Sequence, residues 1–283
     1  MILAGFVLLA VGAADLVRQF VPRRWIGYLA AAVVLLLLGS VSDALLPMVV
    51  ALVAGALWVW CMPDDRPSPA GFWPAVVLAL VVVGAVVWTG GRAHAGLVGA
   101  VWQLRSPFGE VSFDLAMLVL GLSAFLLESA NLVVRAALDG EHTWRPAEQV
   151  ADAPIVVDAP AAGDTAASTV TGADATTVAP VAPAESAAGG ESTAVAAASD
   201  SRSGFKGGRL IGPLERILIL ILTLAAAYPI LAAMLAAKGI VRFPEISRDG
   251  ETGARAEYFL VGSLVSWVIA LGGAFLVWWA AHS

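Results

Sequence analysis

Apolar residues run through most of this chain in long blocks, each closed by a short cluster of charges, prolines or glycines. A helix rises about 1.5 Å per residue, so roughly 20 apolar residues cross a hydrocarbon core of about 30 Å. The first block, Met1 to Val21, is interrupted by Asp15 and Arg18 and ended by Pro22-Arg23-Arg24. Trp25 to Met62 follows with one charge, Asp43. As a single helix it would be about 57 Å long, too long for one crossing. The polar stretch Gly39-Ser40-Val41-Ser42-Asp43 divides it into spans 25–40 and 44–62, with Asp43 as the expected N-cap of the second and Pro47 tolerable near its first turn. After the turn-rich Pro63 to Pro69, Phe72 to Thr89 predicts a fourth span and Phe113 to Val134 a fifth. Between them, Arg92, His94, Arg105 and Glu110 interrupt 90–112, which suits an interfacial or partly re-entrant segment better than a crossing.

The pattern then breaks. From Asp139 to Gly204 the chain turns to Ala, Thr, Ser, Pro and Gly, with ten acidic residues against two arginines. Too few large apolar groups remain there to offset ordering entropy, and the composition predicts a disordered linker. Two further spans follow, Pro213 to Lys238 and Glu257 to His282. The expected fold is an all-α polytopic membrane protein with about seven transmembrane helices. It divides into a five-span region 1–138, the linker 139–204, and a two-span hairpin 205–283.

Signals around the sixth span agree with one another. Gly212 fits an N-cap, Pro213 the first helical position and Glu215 the third, near the positive end of the helix dipole. Lys238 fits the last turn and Gly239 the left-handed position beyond it. Pro229, inside the span, predicts a kink that frees the carbonyl of Ala225. On this reading Glu215 and Lys238 lie at opposite membrane surfaces.

Composition agrees with the blocks: 59% of residues are hydrophobic and 13% charged, against about 45–50% and 25% in soluble domains. The net charge of −6 comes largely from the linker and says little about a partner. Cys61 is the single cysteine, which excludes an intrachain disulfide and every multi-cysteine metal site. Val11-Gly12-Ala13 resembles a signal-peptide cleavage site, but no basic region precedes the apolar start, so a retained first helix is expected. Orientation rests on where Lys and Arg fall. Placing the N-terminus outside and the C-terminus in the cytoplasm puts Arg23, Arg24, Arg66, Arg135, Arg145, Arg202, Lys206 and Arg209 inside, and leaves Arg92, Arg105, Lys238, Arg242, Arg248 and Arg255 outside.

Candidate chemistry is sparse. Asp15 and Arg18, three apart, can pair on one helical face and offset the cost of intramembrane charge, or lie near the interface with Arg18 snorkelling, the preferred reading. Glu128, Asn131 and Arg135 share a face of the fifth span and form a polar stripe. Glu215 and Arg216 are adjacent, so their side chains diverge by about 100°. Lys238, Arg242, Glu245 and Glu257 are expected at the far surface, with Glu257 pairing to Lys238 or Arg242 and the remaining base free for a phosphate headgroup. Small residues recur every fourth position in both last spans, Ala225, Pro229, Ala233 and Ala237 in one and Gly262, Ser266, Ala270 and Ala274 in the other. Such ridges let two helices approach closely in lipid. His94, His142 and His282 are scattered, and no phosphate-binding glycine pattern is present, so no catalytic residue, metal or cofactor is assigned. The tryptophans, among them Trp25, Trp58, Trp60, Trp73, Trp88, Trp278 and Trp279, are read as interfacial anchors and not as nucleic-acid stackers.

Three strings carry a resemblance: Gly-Arg-Leu-Ile-Gly-Pro-Leu-Glu-Arg (208–216), Ala-Ala-Lys-Gly-Ile-Val-Arg-Phe-Pro-Glu-Ile (236–246) and Ala-Glu-Tyr-Phe-Leu-Val-Gly-Ser (256–263). In that order they resemble the tail of an uncharacterised family of bacterial, mainly actinobacterial, multi-pass membrane proteins, in which a serine often stands where this chain has Gly239. The likeness covers about the last 75 residues and implies membrane residence and a shared C-terminal unit, with no activity or cofactor attached. The sequence thus leaves three classes open: an assembly or regulatory component of the cell membrane, a small-solute or ion transporter using Asp15 or Glu128, and a lipid-processing enzyme. The first is preferred because intramembrane charges are few. Its expected partners are the bilayer, anionic lipid headgroups and a membrane protein or second copy of the chain.

Overall fold

A computed structural model describes residues 1–62, 71–88, 92, 95–106, 109–140, 208–247 and 254–283. Among these the chain is helical apart from turns and a two-residue antiparallel ladder in which Arg105 faces Glu110 and Ser106 faces Gly109. Four helices are long and apolar enough to cross a membrane: Ile2–Phe20, Arg24–Val41, Phe113–Leu138 and Phe259–His282. Leu45–Cys61, Trp73–Trp88 and Tyr228–Val241 are shorter apolar helices. The expected linker, 139–204, lies outside the described residues save for the last two residues of a helix. The helices on either side of residues 145–206 form one body.

Helix α1 (Ile2–Phe20) is the centre of that body, with α3 (Leu45–Cys61) on one side and α6 (Phe113–Ala124) on another. Its small residues explain this position. A Cβ on Gly5 would lie 2.7 Å from the Leu118 backbone nitrogen, one on Gly12 2.6 Å from the Ala124 carbonyl carbon, and one on Gly121 2.2 Å from the Gly5 oxygen. Lipid supplies no hydrophobic drive for helix association, so close backbone approach is what holds α1 to α6. Helix α2 (Arg24–Val41) faces outward over most of its surface, and α4 (Trp73–Trp88) packs on α1.

The turn between α2 and α3 corrects one expectation. Asp43 does not cap α3; it adopts φ +53° and closes α2. Its N–H donates to Ser40 O (3.3 Å) and the Ala44 N–H donates to Gly39 O (2.8 Å), the paired bonds of a Schellman ending. Aspartate tolerates the left-handed region better than most residues, so a Ser-Val-Ser-Asp run reads equally as a stop and as a start. The described residues of 90–112 form α5 (Gly96–Val101) and the short ladder and no crossing helix, before Ser112 caps α6 by accepting from Leu115 N–H at 3.2 Å. The fifth span runs past its expected end at Val134, because a π-turn at Phe125–Ser129 joins α6 to α7 (Ala130–Gly140).

The larger correction is at the sixth span. Pro213 to Lys238 is not one crossing helix. Helix α8 (Gly208–Leu224) ends, and α9 (Tyr228–Ser247) runs back beside it before α10 (Ala254–His282). The end is another Schellman turn: Ala226, at φ +54°, donates to Thr223 O (3.1 Å) and Ala227 to Leu222 O (2.9 Å). Pro229 therefore occupies the first turn of α9, where its missing donor is harmless, instead of kinking a longer helix. Helix α8 starts at Gly208, before the expected cap at Gly212, and Pro213 falls inside it; Gly239 lies within α9 and ends nothing.

The contacts also fix directions. Helix α1 runs parallel to α3 (Arg18 reaches Met62) and to α6 (Gly5 beside Leu118, Gly12 beside Ala124). Helix α10 runs antiparallel to α6 and α7, since Gly262 meets Leu138 and Gly273 meets Leu122. The start of α1 and the end of α10 consequently share one end of the bundle, where a count of seven crossings would have separated them.

Candidate functional site: the buried charge centres

Four charged residues are buried among the described residues: Asp15, Arg18, Asp114 and Arg216. Helices and neighbours position each of them.

Asp15 and Arg18 pair at 3.3 Å on α1, as their spacing allows, and both are buried, Asp15 at 1% exposure, so Arg18 does not snorkel to the interface. Arg18 also donates to Met62 O at 2.7 Å and to Val59 O. These are C-terminal carbonyls of α3, left without partners by the helix and favoured by a cation. The second oxygen of Asp15 accepts from Trp58 Nε1 at 2.9 Å. Trp58 is 4% exposed and meets Phe125 edge-on, so it is a buried partner and not an interfacial anchor. Trp25, Trp60, Trp73 and Trp88 are exposed, as anchors would be.

Arg92 holds Asp114 at the start of α6 through two bonds, Nη2 to Oδ1 (2.7 Å) and Nε to Oδ2 (3.2 Å). Its Nη1 reaches the carbonyls of Ser42 and Asp43 at 3.1 and 3.3 Å. One guanidinium thereby ties the α2–α3 turn to α6. Sequence reading passed over this pair, because 22 residues separate its members and no local spacing marks it.

The third centre gathers residues from four elements. Glu215 and Arg216 diverge from α8 as adjacent helical residues must. Glu215 accepts from Lys238 Nζ at 2.6 and 2.8 Å and from Trp267 Nε1 at 2.9 Å. Lys238 lies 5.6 Å from the Trp267 ring centre and 5.8 Å from that of Phe259. Glu215 and Lys238 are therefore at one depth, not at opposite surfaces; the turn at Ala226 folds one onto the other. On the other side Arg216 donates through Nε to Ser266 Oγ (2.8 Å) and through Nη1 to Leu126 O (3.1 Å). Leu126 belongs to the π-turn, whose irregular ladder makes a carbonyl available to an outside donor. Glu128, on the same turn, places a negative charge near Arg216. Gly212 lies between Arg216 and Asn131, a Cβ there being 3.6 Å from Arg216 Nη2 and from Asn131 Oδ1. Asn131 itself donates to Leu127 O at 3.4 Å, and Arg135 is exposed. Leu126 is 13 residues from the start of α6 and 14 from the end of α7, about 20 Å from either, so this centre lies near mid-bundle.

The small-residue ridges separate in space. Ser266, Ala270 and Ala274 are buried and Gly262 half-buried, with α10 against α8 and α7. Ala225, Pro229, Ala233 and Ala237 are exposed, so that ridge is not what packs α9 onto α10. Ser266 acts as a hydrogen-bond acceptor as well as a small residue. The side chains of Arg242, Glu245 and Glu257, with the ion pair expected of Glu257, lie outside the described residues. No group of three or more metal-ligating side chains occurs among the described residues. No protein family, curated protein or solved structure matches the chain.

Proposed function

We infer that this chain is a multi-pass component of the cell membrane with an assembly or regulatory role. One observation carries the reading: the four buried charges of the described residues all engage the protein's own groups and are spent on joining helices. The exposed small residues Pro229, Ala233 and Ala237 of α9 supply a surface on which another membrane helix can pack.

Taking α1, α2, α3, α4, α6 with α7, α8, α9 and α10 each as a crossing gives eight and sharpens the orientation. By sequence position, Arg23, Arg24, Arg66, Arg135, Arg209, Arg242, Arg248 and Arg255 fall in or beside the connections that join helices at the end where α1 stops. The opposite end has Arg92 and Arg105. Eight against two favours a cytoplasmic position for the first end, and an external one for both the start of α1 and the end of α10. In a Cys61→Ser background, Ser283→Cys on intact cells should react with an impermeant thiol reagent and Ser247→Cys only after permeabilisation. The reverse pattern overturns the orientation.

The assembly reading is tested with two sets of variants. Ala233→Phe with Ala237→Phe should change the mass of the detergent-extracted species on native electrophoresis. Asp15→Asn and Glu128→Gln should leave it unchanged. A solute or ion flux in proteoliposomes that Glu128→Gln abolishes would replace this reading with transport.

A further inference from the structure

Between α1, α2 and α3 lies a cavity of about 360 Å³, within the range of small-molecule sites. Ala10 and Ala14 form one wall, Ala31 a second, and Gly55 and Val59 a third. The hydroxyl of Tyr28 is the one polar side-chain group in its lining. Tyr28 to Leu35 on α2, and Leu52 to Val59 on α3, line it over about 10 Å along the helix axes. Its depth runs from the middle of the helices toward the end where α1 stops. There the surroundings change sign: Arg23 and Arg24 are exposed at the start of α2, beside exposed Trp25. Arg24, Tyr28, Ala31 and Leu35 follow one another at helical spacing, so Arg24 continues the cavity face by one turn toward the membrane surface.

A narrow apolar slot that ends in one hydroxyl and then two arginines matches one ligand chemistry. We propose that the cavity between α1, α2 and α3 binds an acyl chain of an anionic phospholipid, with its phosphate held by Arg23 and Arg24 beyond Tyr28. Small side chains leave room for an unbranched chain where larger ones would have packed helix to helix. Tyr28 lines the cavity and Arg24 precedes it by one helical turn, so a lipid whose chain fills the cavity has its glycerol and phosphate toward these residues. The site depends on membrane residence and is independent of the assembly role.

The test uses the full chain in nanodiscs, with phosphatidylglycerol carrying a photoreactive acyl chain and phosphatidylcholine carrying the same chain. Labelling of α2 and α3 around Ala31 and Ala56 is expected from phosphatidylglycerol at about tenfold the level from phosphatidylcholine. Arg23→Gln with Arg24→Gln should bring the two lipids level while keeping the label in place. Ala31→Phe, and separately Ala56→Phe on the facing wall, should remove it for both lipids in protein that retains its helix content and elution volume. Equal labelling by the two lipids in the unaltered chain overturns the proposal. So does labelling that survives both phenylalanine variants, or that glycerol 3-phosphate displaces, since a free headgroup would then suffice.

Discussion

Two charge centres in this bundle solve one problem in different ways. At Asp15 and Arg18 the partners sit three residues apart on one helix, and the pair exists as soon as α1 forms. At Glu215, Arg216 and Lys238 nothing is local: Glu215 finds Lys238 across a turn 23 residues later, and Arg216 finds Ser266 and Leu126 at 50 and 90 residues' separation. The first centre binds α1 to α3. The second binds α8 to α9, to α10 and to the π-turn, and so fastens the C-terminal helices to the N-terminal ones. A local pair needs only its own helix to form, whereas each bond of a distributed centre waits on the packing of another helix.

The largest expected effect is at the local pair. Asp15→Ala leaves Arg18 buried without its counter-charge and should cost about 3–5 kcal/mol in detergent unfolding followed by tryptophan fluorescence. Adding Arg18→Met should recover part of that loss. If the double variant is less stable than Asp15→Ala, the carbonyl bonds of Arg18 to α3 matter more than the ion pair.

Arg216→Met should cost about 2–3 kcal/mol, because Ser266 Oγ and Leu126 O lose a charged donor. Lysine at the same position should recover less than half, since a single ammonium does not reproduce the fork that reaches both acceptors. Full recovery by Arg216→Lys would mean that charge alone, and not two-point attachment, joins the halves.

Glu215→Gln should be milder, about 1 kcal/mol, because glutamine keeps an acceptor for Lys238 and Trp267 and only the charge-assisted part of those bonds is lost. In a cycle with Lys238→Met the two losses should not add. Additive losses would show that the contact does not couple α8 to α9.

The smallest effect has the opposite sign. Ala226 holds φ +54° with a Cβ that disfavours it, so Ala226→Gly should stabilise the hairpin by about 0.5–1 kcal/mol in the same unfolding assay. A loss of stability there would contradict the left-handed turn that brings Lys238 to Glu215.

Much of the architecture was legible before the structure. Spans one to four match α1 to α4 within a residue or two, because each apolar block is bounded by groups that resist burial in lipid. The pairing of Asp15 with Arg18 was legible as one of two readings, since helical spacing permits it while an interfacial position with Arg18 snorkelling fits the same residues. Trp58 was not legible: an indole near a span end is usually an anchor, and only packing reveals that its N–H meets the buried carboxylate of Asp15; nor does the sequence show that Trp267, in mid-span, donates to Glu215. The C-terminal helices misled for a related reason. Ile217 to Ala237 has the length and hydrophobicity of one crossing, and an alanine is a poor signal for a left-handed turn.

Local hydrophobicity thus determined by itself that this chain is helical and suited to a membrane, and where most of its helices begin and end, because transfer to lipid is a property of each segment alone. The tertiary structure decided which helix is central, how many helices follow residue 207, and where Glu215, Arg216 and Lys238 find partners. Those outcomes depend on close backbone approach at Gly5, Gly12 and Gly121 and on hydrogen bonds across tens of residues, interactions that no single segment contains.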